Sequence, residues 1–116
     1  MSLDRQTQQA IWQVVNEIPA GKVLAYGEIA ALAGYPRGAR MVARALRAAP
    51  RALDLPWHRV INAQGKISFP QDSSNFQQQK KRLESEGVVF VNGRVNLQHY
   101  GWKGVVDELI WGNHNV

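Results

Sequence analysis

The chain has no cysteine among its 116 residues. That excludes disulfides, thiolate metal ligands and a thiol nucleophile together. The histidines, His58, His99 and His114, are scattered, and the sequence has no local metal-ligand pattern. No apolar run approaches the roughly 20 residues of a membrane-spanning helix, so no membrane partner is expected. The N-terminus, Met1-Ser2-Leu3-Asp4-Arg5-Gln6, has no apolar signal core. The expected location is therefore the cytoplasm, in association with the nucleoid if the source is bacterial. Acidic residues are missing from one long stretch: none lies between Glu28 and Asp54, which holds Arg37, Arg40, Arg44, Arg47 and Arg51. These arginines carry the whole net charge of +5. A segregated charge marks a binding face, because a surface that only maintains solubility mixes its signs. For a small basic chain the partner class is nucleic acid.

The rest of the composition, 45% hydrophobic and 20% charged, is that of one globular domain. Apolar residues at Ala10, Ile11, Val14, Val15 and Ile18 predict a helix over 4–18, ended by Pro19-Ala20-Gly21. Val23-Leu24 reads as a short extended link. A second helix over 26–33 directs Ile29, Ala30, Leu32 and Ala33 inward and stops at Gly34 and Pro36. A third, over 39–49, ends at Pro50. Two short helices around a glycine-containing turn form a helix-turn-helix pattern. Val42, Ala45 and Leu46 share the inward face of the third helix, and Arg40, Arg44 and Arg47 form a stripe on another. Such a stripe serves as a solvated surface or as a phosphate-binding face.

Asn62-Ala63-Gln64-Gly65 predicts a turn leading to Lys66-Ile67-Ser68 and a small hairpin. Ser74 or Asn75 is the expected cap of a fourth helix reaching about residue 86, with Phe76, Gln79, Lys80 and Leu83 at helical spacing. Asn92-Gly93 between residues 88–91 and 94–97 predicts a second hairpin. The fold class expected is mainly α with small β hairpins, winged-helix-like in outline. The domain covers 1–103, and the tail 104–116 is either a short helix or disordered.

Chemistry-bearing residues concentrate in Pro56-Trp57-His58-Arg59-Val60. Trp57 is either a core aromatic or a flat wall for stacking a base. His58 is either a general base or a buried structural histidine, and no recognisable nucleophile accompanies it. Arg59 is a structural or phosphate-contacting cation, and Glu86 either pairs with a histidine or caps a loop. Tyr26 stands where helix-turn-helix proteins touch a phosphate, or is a half-buried ring.

Five ordered segments resemble the DNA-binding domain of O6-alkylguanine-DNA alkyltransferases. They are Ile18-Pro19-Ala20-Gly21-Lys22-Val23, Tyr26-Gly27-Glu28-Ile29-Ala30, Gly34-Tyr35-Pro36 with Ala39-Arg40, Pro56-Trp57-His58-Arg59-Val60, and Leu83-Glu84-Ser85-Glu86-Gly87. The likeness runs from about Gln6 to Lys103. Reactive members carry Pro-Cys-His-Arg, and that cysteine accepts the alkyl group. Trp57 occupies its position here, as in the alkyltransferase-like proteins. Ala49 replaces the usual Asn, and Phe69-Pro70-Gln71-Asp72 replaces the Gly-Tyr-x-Gly-Gly loop.

The resemblance implies a non-enzymatic sensor that binds O6-alkylguanine in double-stranded DNA by nucleotide flipping and marks it for nucleotide excision repair proteins. It implies no cofactor and a monomer. Arg40 would be the arginine finger that fills the vacated stack, and Tyr26 the residue that rotates the nucleotide. Trp57, His58, Ile67, Ser68, Phe69 and Pro70 would form the lesion pocket. Arg37, Arg44, Arg47, Arg51 and Arg59 are the expected phosphate contacts. The alternative function is a helix-turn-helix regulator of ordinary duplex, and a third is an enzyme with His58 as base.

Overall fold

The structure is a computed structural model and describes residues 3–103. Helix α1 spans Arg5–Glu17, with Asp4 as its N-cap accepting from the Thr7 backbone N–H at 2.7 Å. It buries Ile11 and Val15, followed by Ile18 at its end. Gly21, at φ +82, lets the chain turn back, and a Cβ there would come within 3.2 Å of the Glu86 carbonyl oxygen. Strand β1, Leu24–Ala25, leads directly into α2, Tyr26–Leu32. The Glu28 carboxylate accepts from the Ala25 N–H at 2.9 Å and satisfies a free donor at that helix start. Past Gly34 the chain enters α3, Ala39–Ala48. Ile29 and Ala30 of α2 meet Val42 and Ala45 of α3 in one core with α1. The Trp12 indole N–H donates to the Ala45 carbonyl at 2.7 Å and fixes α1 against α3. The helix-turn-helix thus forms close to its expected limits.

Beyond a 3-10 turn at Arg51–Leu53 comes a second at Trp57–Arg59, then strand β2, Val60–Ile61. β2 pairs with β1 in parallel, Leu24 opposite Val60 and Ala25 opposite Ile61. This corrects the expected hairpin with residues 66–68. The 62–65 turn does form: the Asn62 side-chain oxygen accepts from the Gln64 and Lys66 N–H groups, both at 2.9 Å. Residues 66–68 form no ladder, and Ile67 is buried instead. Gly65, at φ +81, presses against the next strand pair, where a Cβ would lie 2.5 Å from the Val95 carbonyl oxygen.

Helix α4, Ser74–Ser85, is capped by Ser73, one residue before the earlier expected cap. The Ser73 hydroxyl accepts from the Phe76 N–H at 3.1 Å while its own N–H bonds to the Pro70 carbonyl, so the loop turn delivers Ser73 to the cap. Strands β3, Phe90–Val91, and β4, Arg94–Val95, pair antiparallel across Asn92-Gly93. Both turn residues have positive φ, +53 and +76, as a type I′ turn requires. A short helix α5, Leu97–Tyr100, capped by Asn96, was not anticipated. Val23, Ile61, Leu83, Val88 and Val95 build a second core. Among the described residues no helix is long and apolar enough to cross a membrane. The tail 104–116 lies outside the described residues.

Candidate nucleic-acid interface

Helix α3 has two faces because its apolar residues recur at helical spacing. Val42 and Ala45 are sealed in the core, while Arg40, Arg44 and Arg47 are exposed along the helix. Arg37 extends the basic surface into the α2–α3 turn, where it holds a left-handed backbone at φ 70. Arg51 adds an exposed charge just past the helix. Leu46 departs from expectation. It is only half-buried and faces a cavity next to the core.

That cavity encloses about 690 Å³ between the helix-turn-helix and the segment that follows it. This is ample for a nucleobase-sized ligand. Tyr26 and Gly27 at the start of α2 border one side, and Arg40 and Arg47 of α3 another. The opposite wall holds Trp57, Ser68 and Phe69. Ala39 and Ala43 of the same helix also line it, and their small side chains leave the helix surface close to the opening.

Trp57 is held by aromatic neighbours. Phe69 meets it edge to face, with centroids 6.1 Å apart and planes at 88°, and His58 does the same at 6.3 Å and 90°. The Arg82 guanidinium of α4 lies 5.5 Å from the Trp57 ring centroid, a cation–π contact that sequence reasoning missed. Of the residues expected to form the pocket, Trp57, Ser68 and Phe69 line it. His58 and Ile67, each 7% exposed, lie behind the wall, and Pro70 is exposed outside it. They are displaced because His58 is claimed by Glu86 and Ile67 by the protein interior.

Arg59, expected among the phosphate contacts, turns inward. Its Nε and Nη2 donate to the Glu86 carboxylate at 3.0 and 2.7 Å, and its Nη1 to the Ile18 carbonyl at 2.7 Å. Three guanidinium nitrogens are thus engaged inside the protein, which makes Arg59 a structural cation. Glu86 fills both roles open to it. It pairs with His58 Nε2 at 2.8 Å and accepts from the Gly21 N–H at 3.0 Å. Burial pushes the Glu86 carboxyl up, but hydrogen bonds from Arg59, His58 and Gly21 more than offset this and hold it at about 2. The His58 pKa is lowered, chiefly by burial, against the opposing pull of Glu86. Neutral His58 therefore places its proton on Nε2 toward the carboxylate. Its Nδ1 is enclosed, and among the described residues it has no hydrogen-bond partner and no hydroxyl positioned for it to activate.

Two further polar residues border the cavity, and sequence reasoning assigned neither of them a site role. Gln79 is 2% exposed, and its amide NH2 donates to the His58 and Val60 carbonyls at 3.1 and 2.8 Å. Asn62 lies on the same cavity, with its side-chain oxygen held in the 62–65 turn. The available signal for Gln79 was a glutamine on the inward face of α4, level with Leu83. Among the described residues no group of three His, Asp or Glu side chains could hold a metal ion.

Comparison with known proteins agrees with this architecture. The family described as "6-O-methylguanine DNA methyltransferase, DNA binding domain" matches residues 6–88. A DNA base-flipping protein of Escherichia coli is 45% identical over 95 residues, 81% of this chain and 72% of its own length. Alkyltransferase-like protein 1 of Schizosaccharomyces pombe is 44% identical over 98 residues, 80% of this chain and 91% of its own. The crystal structure of S. pombe Atl1 in complex with damaged DNA containing O6-carboxymethylguanine superimposes with a TM-score of 0.77 at 42% identity, covering 89% of this chain and 99% of that one. The chain belongs to the 6-O-methylguanine DNA methyltransferase DNA-binding-domain family, among its alkyltransferase-like members.

Proposed function

We propose that the protein is a non-enzymatic DNA damage sensor that binds O6-alkylguanine in a flipped-out state. The observation that carries this reading is the Trp57-walled cavity opening beside Tyr26 and Arg40 of the helix-turn-helix, in a chain without cysteine. Arg37, Arg44, Arg47 and Arg51 contact phosphates. Tyr26 crowds the phosphate next to the lesion and turns the nucleotide outward. Arg40 enters the duplex and takes the place of the lost stack. Extruding a base costs a few kcal/mol, and least for one whose pairing is already damaged. O6-alkylation weakens pairing with cytosine, so the lesion is selected before the cavity reads it. Stacking or alkyl contact on Trp57 returns roughly 1–3 kcal/mol.

Trp57 takes the position of the alkyl-acceptor cysteine, so the lesion is bound and not repaired. The complex, formed by a single protein copy, then marks the site for nucleotide excision repair proteins. In support, two bacterial relatives are named DNA base-flipping proteins, and the alkyltransferase-like relative of S. pombe was crystallised in complex with damaged DNA. The test is incubation with duplex carrying a labelled O6-methyl group. The expected result is label retained on the DNA and none on the protein. Covalent transfer to protein, or repeated release of methyl by His58 chemistry, would overturn the proposal.

A further inference from the structure

The lesion-binding reading leaves open how the cavity recognises the base itself, apart from its alkyl group. Gln79 supplies an answer. Both hydrogen-bond neighbours of its amide are carbonyl oxygens, those of His58 and Val60, and only the NH2 side can face them. The amide orientation is therefore set by the protein. The Gln79 oxygen is left pointing elsewhere, and it accepts from no protein group among the described residues. It is not sealed away either. Among the described residues, His58 Nδ1 is the side-chain polar atom that is both enclosed and unpartnered. Gln79 is otherwise buried, at 2% exposure, and borders the cavity. Its oxygen is thus a fixed acceptor at the cavity wall, with its rotamer already ordered before any ligand arrives.

We infer that Gln79 is a base-reading residue, whose side-chain oxygen accepts a hydrogen bond from the exocyclic 2-amino group of the flipped guanine lesion. This inference rests on the lesion-binding reading. The 2-amino group is retained in every O6-alkylguanine, so one acceptor serves lesions of different alkyl size. The cavity would then prefer purines that carry a 2-amino group over purines that lack it. A preorganised acceptor costs little to order on binding, and leaving it unmatched in a closed cavity costs a hydrogen bond.

The experiment compares dissociation constants for three duplexes whose central base is O6-methylguanine, 6-methoxypurine or guanine, each opposite an abasic site. 6-Methoxypurine keeps the methyl group and lacks only the 2-amino donor. The abasic partner removes base pairing, so extrusion cost does not separate the duplexes. Wild type should bind O6-methylguanine about fivefold to tenfold more tightly than 6-methoxypurine, the value of one hydrogen bond. Gln79→Met should bring that ratio close to one while circular dichroism and affinity for unmodified duplex, which report a kept fold, stay those of wild type. Equal wild-type binding of the two methylated purines, or an unchanged ratio in Gln79→Met, overturns the assignment while lesion binding stands. In a parallel titration with cytosine opposite the central base, wild type that binds guanine as tightly as O6-methylguanine overturns the lesion-binding reading, and this inference with it.

Discussion

Replacing Glu86 with glutamine tests the junction that holds Trp57 in place. The carboxylate gathers the Gly21 N–H at 3.0 Å, His58 Nε2 at 2.8 Å and Arg59 Nη2 at 2.7 Å. It thereby ties the 18–21 turn, the 57–59 turn and the end of α4 together. The drop in its pKa from 4.5 to about 2 corresponds to about 3 kcal/mol of preference for the charged form in the folded state. The side chain is 15% exposed and solvent screens it in part, which reduces the contribution to about 1–2 kcal/mol. Glutamine keeps the shape but sets an amide NH2 against cationic Arg59, so Glu86→Gln should lose about 1–2 kcal/mol at pH 7. A depressed carboxylate pKa stabilises above its unfolded value, and that contribution is lost as pH falls from 4.5 toward 2. The gap between wild type and variant should therefore narrow over that range. Separately, the lowered pKa of His58 makes the wild type less stable as pH falls below 6.5, because the unfolded chain takes up that proton first. Urea denaturation followed by circular dichroism at pH 7, 4.5 and 3 measures all of this. A variant as stable as wild type at pH 7, or a gap that persists unchanged in acid, refutes the reasoning.

Arg40→Ala should weaken binding to an O6-methylguanine duplex by at least tenfold more than Arg51→Ala, measured by fluorescence anisotropy; equal losses would make Arg40 a generic phosphate contact. Binding should fall steeply with salt, with a log–log slope of magnitude about 3 to 4 if Arg37, Arg44, Arg47 and Arg51 each neutralise a phosphate. A slope near zero would remove the electrostatic face from the account. Gly65→Ala should destabilise the fold by more than 1 kcal/mol in thermal melting, since a Cβ would lie 2.5 Å from the Val95 carbonyl oxygen on a backbone at φ +81. A neutral substitution would show that the loop yields freely there.

What was legible in the sequence was local. Ile11, Val15 and Ile18 recur at helical spacing, Gly34 ends α2, and Asn92-Gly93 makes its own turn, so these elements follow from neighbouring residues. The separation of Val42 and Ala45 from the arginines of α3 is equally a matter of helical period. The β1–β2 pairing was hidden because Leu24 and Val60 are brought together by tertiary packing. The true place of Arg59 was hidden for the same reason. Its partner Glu86 lies across the domain, and an arginine beside a tryptophan and a histidine in sequence looks free to meet a phosphate. Within the pocket motif, Trp57 and Phe69 were visible as aromatics, whereas His58 and Ile67 fall behind the wall because the 57–59 turn and the packing of residues 66–68 rotate them inward. Gln79 carried the least signal, since a glutamine on a polar helix announces nothing until the carbonyls of His58 and Val60 are found against it.

The central claim is that the cavity takes up an alkylated guanine from duplex DNA. Competition titration of a labelled O6-methylguanine duplex with unlabelled O6-methylguanine duplex and with an unmodified duplex of identical sequence tests it most directly. The account predicts that the alkylated competitor displaces the probe at concentrations at least tenfold below those of the unmodified one. Equal displacement by the two would contradict it and leave a helix-turn-helix protein that binds ordinary duplex.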